Sequence, residues 1–386
     1  MSKLIFAELC MRNEEHIPFN SSFVELMHVI YPQHTIQLYA ERNHCKAMRD
    51  ETTNIDVEYK IIPVISHKYW RIFLSDLISS ILAIYILIRS SPNDIIILLN
   101  RLPITLMIYN FINNIYQRAT ISILHGELES IVNYNNVLGR TKYYYNLFKL
   151  SYLISNSNTY YVALGKTILN NILDINFRNA HLLSIDHPYQ YNYINNFQQL
   201  SFPVNIGIIG LASHRKNSDK IFHIARLVYE RGNTYNIHFK IAGSIDSNLL
   251  SIVNKYVDYP QIGQRLKKDE YENAISALDY SLLFYDSNTN RALASGSFFD
   301  CIKYEKPIIG IKGNEFIDYY FDRLGNIGYL FNSIDEIIAF LIGPKFYEYI
   351  NSDIYREQIS NIRLAKEILS LNSIAKNLKL QLDQKN

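Results

Sequence analysis

Tryptophan occurs once in this 386-residue chain and cysteine three times, at Cys10, Cys45 and Cys301. Three thiols, odd in number and far apart, make neither a disulfide framework nor a metal knuckle. They read as small buried hydrophobes in a protein of a reducing compartment. An excess of one charge is also missing: 38 Lys and Arg stand against 36 Asp and Glu, with no basic stripe, so nucleic acid is not an expected partner. No uninterrupted apolar run reaches the roughly 20 residues of a membrane span. The nearest approach, residues 72–88, is broken by Ser75, Asp76, Ser79 and Ser80, and is read as a buried helix feeding a strand at 94–99. The first residues, Met-Ser-Lys-Leu-Ile-Phe-Ala, form a short strand-like run without the apolar core and cleavage site of a signal peptide. Export is therefore not expected, and a cytoplasmic location is.

What is present is a folding composition, 48% hydrophobic and 19% charged, over a length that favours two domains. Strand candidates 3–9, 35–39, 59–64, 94–99, 119–124, 159–163 and 180–184 alternate with helical patterns, which implies a parallel sheet covered on both faces. The pattern lapses into an Asn-, Gln- and Tyr-rich stretch and restarts at 203. The expected organisation is an N-terminal Rossmann-like domain (1–190), a linker (191–202), a C-terminal Rossmann-like domain (203–360) and a C-terminal helix (361–386). In the last segment Leu364, Ile368, Leu371, Ala375, Leu378 and Leu382 form a regular seam, read as packing against the body of the protein. The fold class is α/β, with two doubly wound domains facing a cleft.

The second domain carries the chemistry. Strand 203–210 ends at Gly210 and is followed by a polar loop containing Ser213, Arg215 and Lys216. Ser218 or Asp219 then opens a helix with Ile221, Ile224, Ala225 and Val228 on one face, closed by Gly232. A guanidinium and an ammonium beside a glycine turn can hold a diphosphate, though a solvated basic loop has the same composition. Strand 237–242 ends at Gly243, helical patterns follow near 249–256 and after Asp269, and strands 280–285 and 307–311 flank a helix at 297–304. Ser295-Gly296-Ser297 precedes that helix, where small residues let an anion approach the backbone, and Asp300 lies one turn in, able to take a ribose diol. A plain alternative is that Ser297 caps the helix and Asp300 completes a capping box. In the first domain His125 and Glu127 end strand 119–124, and Glu15 and His16 follow the first strand. His125 is a candidate hydrogen-bond donor or base, with Glu127 a second candidate base. A histidine bonded to local backbone is the plain alternative.

The succession Ile-Gly-Ile-Ile-Gly with Arg215-Lys216, then Phe-Lys-Ile-Ala-Gly at 239–243, then Ser-Gly-Ser-Phe-Phe-Asp-Cys-Ile-Lys-Tyr-Glu-Lys-Pro-Ile-Ile-Gly at 295–310 resembles the GT-B glycosyltransferases, nearest to family four. The resemblance runs in order over 203–340 and is architectural over the first half. It implies a donor-binding C-terminal domain, an acceptor-binding N-terminal domain and transfer without a metal, with a nucleoside diphosphate sugar, UDP- or GDP-linked, as substrate and no cofactor. It places Arg215 and Lys216 at the diphosphate, Asp300 on the ribose and His125 near the transferred sugar; Gly210, Ser213, Gly243, Ser295, Gly296 and Ser297, from their places at strand ends and the helix start, complete the expected donor site, and Glu15 and His16, in the loop after the first strand, are the acceptor-side candidates. The family's first glutamate falls at Ala292, a departure for which Ser295 or Asn290 are candidate substitutes.

No Asp-X-Asp occurs in the chain, which argues against the metal-dependent transferase fold, and no Cys/His grouping has zinc spacing. Two aromatic and basic clusters, His67-Lys68-Tyr69-Trp70-Arg71 and Arg140-Thr141-Lys142-Tyr143-Tyr144-Tyr145 with Lys149, suit peripheral contact with an anionic membrane presenting a lipid-linked glycan acceptor. The reading is a glycosyltransferase of surface polysaccharide or lipooligosaccharide assembly. A nucleotide-sugar 2-epimerase and a non-catalytic sugar-nucleotide-binding subunit are the alternatives.

Overall fold

The structure is a computed structural model. It describes residues 2–65, 71–132, 144, 146–193, 200, 202–232, 236–264, 266–289, 291–350 and 353–385. The chain divides into two compact units, one comprising Met1–Gln190, Ala292–Ala294 and Leu369–Asn386, the other Tyr191–Arg291 and Ser295–Ile368.

In the first unit, β1 (Lys3–Glu8), β2 (Thr35–Ala40), β3 (Val57–Ile61), β4 (Ile95–Asn100), β5 (Ala119–Leu124), β6 (Thr159–Ala163) and β7 (His181–Ser184) form a parallel sheet in the order β3-β2-β1-β4-β5-β6-β7. The helices are α1 (Ile17–Ile30), α2 (Arg42–Glu51), α3 (Arg71–Arg89), α4 (Pro103–Tyr116), α5 (Glu127–Val132), α6 (Leu147–Leu153) and α7 (Lys166–Asn171). All seven expected strands are present, displaced by at most three residues at an end. The apolar runs of the central strands β1 and β4 follow from burial on both faces: on β1, Leu4 and Phe6 join the core under α1 and α2, while Ile5 and Ala7 join the core under α3 and α4.

The second unit repeats the plan with β8 (Val204–Ala212), β9 (Ile237–Ile245), β10 (Val257–Asp258), β11 (Tyr280–Leu283), β12 (Ile308–Ile311) and β13 (Gly328–Phe331), parallel in the order β10-β9-β8-β11-β12-β13. Its helices are α8 (Lys220–Glu230), α9 (Lys268–Ser276), α10 (Gly296–Lys303), α11 (Glu315–Leu324), α12 (Ile334–Ile342), α13 (Pro344–Ile350) and α14 (Ile354–Ile368). A last helix, α15 (Leu371–Asp383), returns to the first unit and packs on α1 and β7.

Several expectations are corrected. Residues 249–256 are not an α-helix. The Asp246 carboxylate accepts the Asn248 N–H at 3.0 Å, and the chain forms only a short 3₁₀ turn, Ser247–Leu249. The C-terminal seam is two helices, because the Ser370 hydroxyl accepts the Ser373 N–H at 3.3 Å and starts α15 anew. Strand β10, two residues long, is too short to leave a periodic signal, and the four-residue β13 adds an edge strand that was not expected. Asp219 precedes α8 without a side-chain cap bond, whereas Gly232, at φ 100°, lies just beyond its end. Helix α3 is where residues 72–88 led, but only one of its faces is buried.

Candidate functional site

In each sheet the strand order reverses direction beside the first strand, and ligands of such sheets sit at the carboxyl ends of the strands there. In the second unit those strands are β8 and β11. Gly210 pairs with Gly243 across β8 and β9, and a Cβ on Gly243 would stand 2.1 Å from the Gly210 carbonyl oxygen, so no side chain fits. Gly210 itself has φ 85°, where a side chain is strained, and a Cβ there would meet Ser297 Oγ at 3.0 Å and Lys216 Nζ at 4.0 Å.

Around Gly210 the expected site residues meet. The chain turns after β8 through a 3₁₀ segment, His214–Lys216, held where the Ser213 carbonyl accepts the N–H groups of Lys216 (3.1 Å) and Ser218 (3.0 Å). The turn directs Lys216 Nζ to donate to Ser297 Oγ at 3.0 Å, joining the basic loop to the start of α10. Arg215, on the same turn, is exposed. Gly296 opens α10, and the cap is Ser295 rather than Ser297: the Ser295 hydroxyl accepts the Phe298 N–H at 3.2 Å and bonds with Tyr285 Oη at 2.7 Å. Asp300 completes no capping box. Its Oδ2 accepts from Tyr271 Oη at 2.7 Å, and burial, with the Asp300 charge second, raises the Tyr271 phenol well above its usual value. Small residues, one ammonium and a helix N-terminus thus enclose a place for an anion, with a carboxylate one turn further on. Tyr271 and Tyr285 escaped the sequence reading, since a hydroxyl at the end of a core ring has no signature in the spacing.

In the first unit, His125 follows β5 and is buried. Its ring meets Phe19 edge-on at 4.6 Å and His16 at 5.3 Å, and Phe19 contacts His187 at 5.0 Å. His16 sits at φ 60° before α1, whose first turn carries Pro18. Burial first, then the charges of His16, Arg101 and His187, push the His125 imidazole well below its usual value, and its Nε2 has no hydrogen-bond partner. Glu127 is engaged through both oxygens: Oε1 accepts from Arg101 Nη1 at 2.7 Å and Oε2 from the His125 N–H at 2.9 Å, in a buried pair. Arg101 Nη1 also donates to the Ile123 carbonyl at 2.6 Å. Glu15 lies on the surface, its carboxylate accepting the Arg12 N–H at 3.2 Å. Ala292 is packed into this unit, and its N–H donates to Glu129 Oε2 at 2.8 Å. Asn290, residues 67–70, 140–143 and 145 lie outside the described residues.

At the sheet's own reversal point, between β1 and β4, Glu8 is fully buried. Its carboxylate accepts from Asn100 Nδ2 (2.7 Å), Asn20 Nδ2 (3.0 Å) and the Cys10 and Met11 N–H groups, while burial raises its pKa. This network fastens the loop leading to Glu15 and His16. Among the described residues no group of three or more His, Cys, Asp or Glu is placed to hold a metal ion.

No protein-family model matches the chain, and no curated protein matches it in sequence. Solved structures do. HepE from Anabaena in complex with UDP superposes with a TM-score of 0.64 at 11% identity over 100% of both chains. WaaG, a glycosyltransferase involved in lipopolysaccharide biosynthesis, gives 0.61 at 13% identity over 97% of this chain and 98% of its own. The lipopolysaccharide outer core galactosyltransferase WaaB in its apo form gives 0.59 at 11% identity over 100% of both chains. The chain has the GT-B fold. At such identities likeness establishes the fold, and activity is argued from the site.

Proposed function

We propose that this protein is a metal-independent glycosyltransferase of the hexosyl type, moving a sugar from a nucleoside diphosphate donor to a hydroxyl of a glycan acceptor. The observation that carries the reading is the Lys216 to Ser297 contact beside Gly210, with Asp300 one turn into α10. In the reaction the bond from the anomeric carbon to the diphosphate oxygen breaks, the acceptor hydroxyl oxygen bonds to that carbon in its place, and the hydroxyl proton passes to the departing diphosphate. Lys216 and Arg215 stabilise the charge released on the diphosphate, the Gly296 and Ser297 amides hold it, and Asp300 orients the ribose. The depressed pKa of His125 keeps its imidazole neutral at pH 7, so its Nε2 serves as a hydrogen-bonding group toward a sugar hydroxyl, while Glu127 positions the His125 backbone.

A uracil-containing donor is favoured over GDP-linked ones because HepE, of the same fold, has been crystallised with UDP and with UDP-glucose. Surface polysaccharide or lipooligosaccharide assembly on the cytoplasmic side of a membrane is the proposed setting, supported by the lipopolysaccharide roles named for WaaG and WaaB. Thermal unfolding with UDP, GDP, CMP and dTDP tests the reading. A ligand at one hundred times its Kd adds about 2.7 kcal/mol to the folded state. UDP is expected to raise the midpoint, with a smaller rise in Asp300→Ala; no rise with any of the four overturns the proposal.

We further assign to Glu129 the sugar-facing role that position 292 lacks, because its carboxylate meets the chain at that residue's amide. Glu129→Gln keeps an acceptor for the Ala292 N–H but removes the charge. Transfer is expected to fall about tenfold or more with UDP binding retained, since one charge-assisted hydrogen bond contributes roughly 1.5–3 kcal/mol. Undiminished transfer in that variant returns Glu129 to a purely structural role.

A further inference from the structure

The first sheet is covered unevenly. Ile5 pairs with Gln37, Gln37 with Glu58 and Tyr39 with Lys60, so Lys3 and Ile5 of β1, Gln37 and Tyr39 of β2, and Glu58 and Lys60 of β3 share one face. On the other face of β2, Ile36 and Leu38 join the core under α1 and α2. On the shared face the apolar core ends near Ile5 and Ile86, and the polar side chains of the two outer strands stand beside the carboxyl-terminal end of α3. They enclose a hollow of about 450 Å³ lined by Lys3, Gln37, Tyr39, Lys60, Tyr85 and Arg89, with the buried Ile5 and Ile86 completing the lining.

Cations enter this hollow from three separate elements, Lys3 from β1, Lys60 from β3 and Arg89 from α3. Glu58 pairs with Lys60 and accepts from Gln37. Asp94, beside Lys3, spends its oxygens on backbone, accepting the N–H groups of Lys3 at 2.9 Å and Ser91 at 2.8 Å. Positive charge is in excess, and like charges gathered in one place repel unless an anion lies among them. The Arg89 guanidinium lies 5.6 Å from the centre of the Tyr85 ring. Burial, then Tyr85, raises the Tyr39 phenol while Lys60 and Arg89 act against the shift, so its hydroxyl stays protonated and near both cations. Tyr85 is 49% exposed and offers both a ring and a hydroxyl to a ligand. Cations for a phosphate, beside hydroxyls, an amide and an aromatic ring for a polyol, suit one small phosphorylated molecule in a space of this volume.

We infer that this hollow is a second ligand site, distinct from the one around Gly210 and Lys216, and that it binds a soluble phosphomonoester of a small polyol such as a sugar phosphate. Lys3, Lys60 and Arg89 hold the phosphate, and Tyr39 and Tyr85 hold the hydroxylated part. The site lies wholly within the first unit and does not depend on the transferase reading. The test is calorimetric titration of the full chain with glucose 6-phosphate, glucose 1-phosphate and glycerol 3-phosphate, against glucose and inorganic phosphate, at roughly 0.1 M salt and again with excess UDP. At least one ester is expected to bind with a submillimolar Kd, with or without UDP, and glucose and inorganic phosphate at least about tenfold more weakly. Lys60→Gln with Arg89→Gln should weaken ester binding about tenfold or more at an unchanged thermal midpoint, and Arg89→Gln alone, at an exposed helix position, about fivefold. Tyr85→Ala, which removes no charge, should bring the ester down to the affinity of inorganic phosphate.

Absence of binding by every ester, or equal binding by wild type and the glutamine variants, overturns the inference. So does ester binding that excess UDP abolishes, because the ligand is then in the donor site. Inorganic phosphate binding as tightly as the best ester overturns it too, because the tyrosines then recognise nothing. Ester binding without a nucleotide-induced thermal shift sinks the transferase reading alone, and the reverse result sinks this one alone.

Discussion

Lys216→Ala is expected to lower sugar transfer by two to three orders of magnitude while leaving the thermal midpoint nearly unchanged. The ammonium donates to Ser297 Oγ at 3.0 Å and stands over Gly210, where the absent side chain leaves room for a phosphate oxygen. When the anomeric bond breaks, charge collects on the diphosphate. A donor aimed at developing charge in a preorganised site contributes roughly 2.7–4 kcal/mol to lowering the barrier, about a hundredfold to a thousandfold in rate. The same side chain is half-buried and makes one hydrogen bond to a hydroxyl, so its loss costs the fold about 1 kcal/mol at most. Steady-state transfer from UDP-linked donors, with kcat and KM separated, checks the assignment. A fall confined to KM would mean that Lys216 binds the ground state and transition state alike. Unchanged kcat/KM would remove it from the mechanism.

The fold was legible because the central strands are buried on two faces, so β1 and β4 carry continuous apolar runs, Leu4 to Ala7 and Ile95 to Leu99, that stop where the sheet stops. The donor side was legible where backbone chemistry demands a residue type. Gly210 and Gly243 stand too close for any side chain, and Lys216 and Ser297 were read from their own turns before their contact was known. What escaped depends on direction in three dimensions. Tyr271 lies on an apolar helical face, and only the fold turns its hydroxyl onto Asp300. Glu8, Asn20, His44 and Asn100 are single polar residues far apart in the chain that meet at one sheet position. Helix α3 was read as a buried helix because an apolar composition is ordinarily buried, but only one face is, and there Ser75, Asp76, Ser79 and Ser80 lie beside Ile72, Ala83, Ile86 and Leu87. Those four polar side chains bond to nearby backbone and to Thr105, so they are tolerated in the buried face while Leu74, Leu77, Ile81 and Ile88 remain exposed.

That buried polar network carries the second large expectation, acid lability below pH 6.5. Asn20 Nδ2 donates to Glu8 Oε2 at 3.0 Å, which fixes the orientation of its amide, and the same nitrogen lies 3.0 Å from His44 Nε2. His44 Nε2 is therefore the acceptor in that contact, and a proton added to it would confront an N–H group. His44 is fully buried, and desolvation holds its imidazole down to about 4 from the usual 6.5. In the unfolded chain the ring takes up its proton near 6.5, so between that value and about 4 the unfolded state binds more protons and stability falls with pH. The stabilisation is whole above pH 6.5, and the full loss below pH 4 is about 3 kcal/mol. For a unit of this size that lowers the midpoint by roughly 6–12 °C. His125, depressed further by burial, extends the loss to lower pH, and His187, lowered to about 4 but half-exposed, adds less because solvent screens it. Glu8 works in the opposite sense. Its raised pKa lets the folded state take up a proton before the unfolded chain does, which offsets part of the loss as pH falls. Thermal unfolding followed from pH 7.5 to 4 should show a falling midpoint in the wild type, a shallower fall in His44→Gln, whose amide oxygen still accepts from Asn20, and a steeper one in Glu8→Gln. Identical slopes in the wild type and His44→Gln would clear this imidazole of the effect and place the acid sensitivity on His125 and His187.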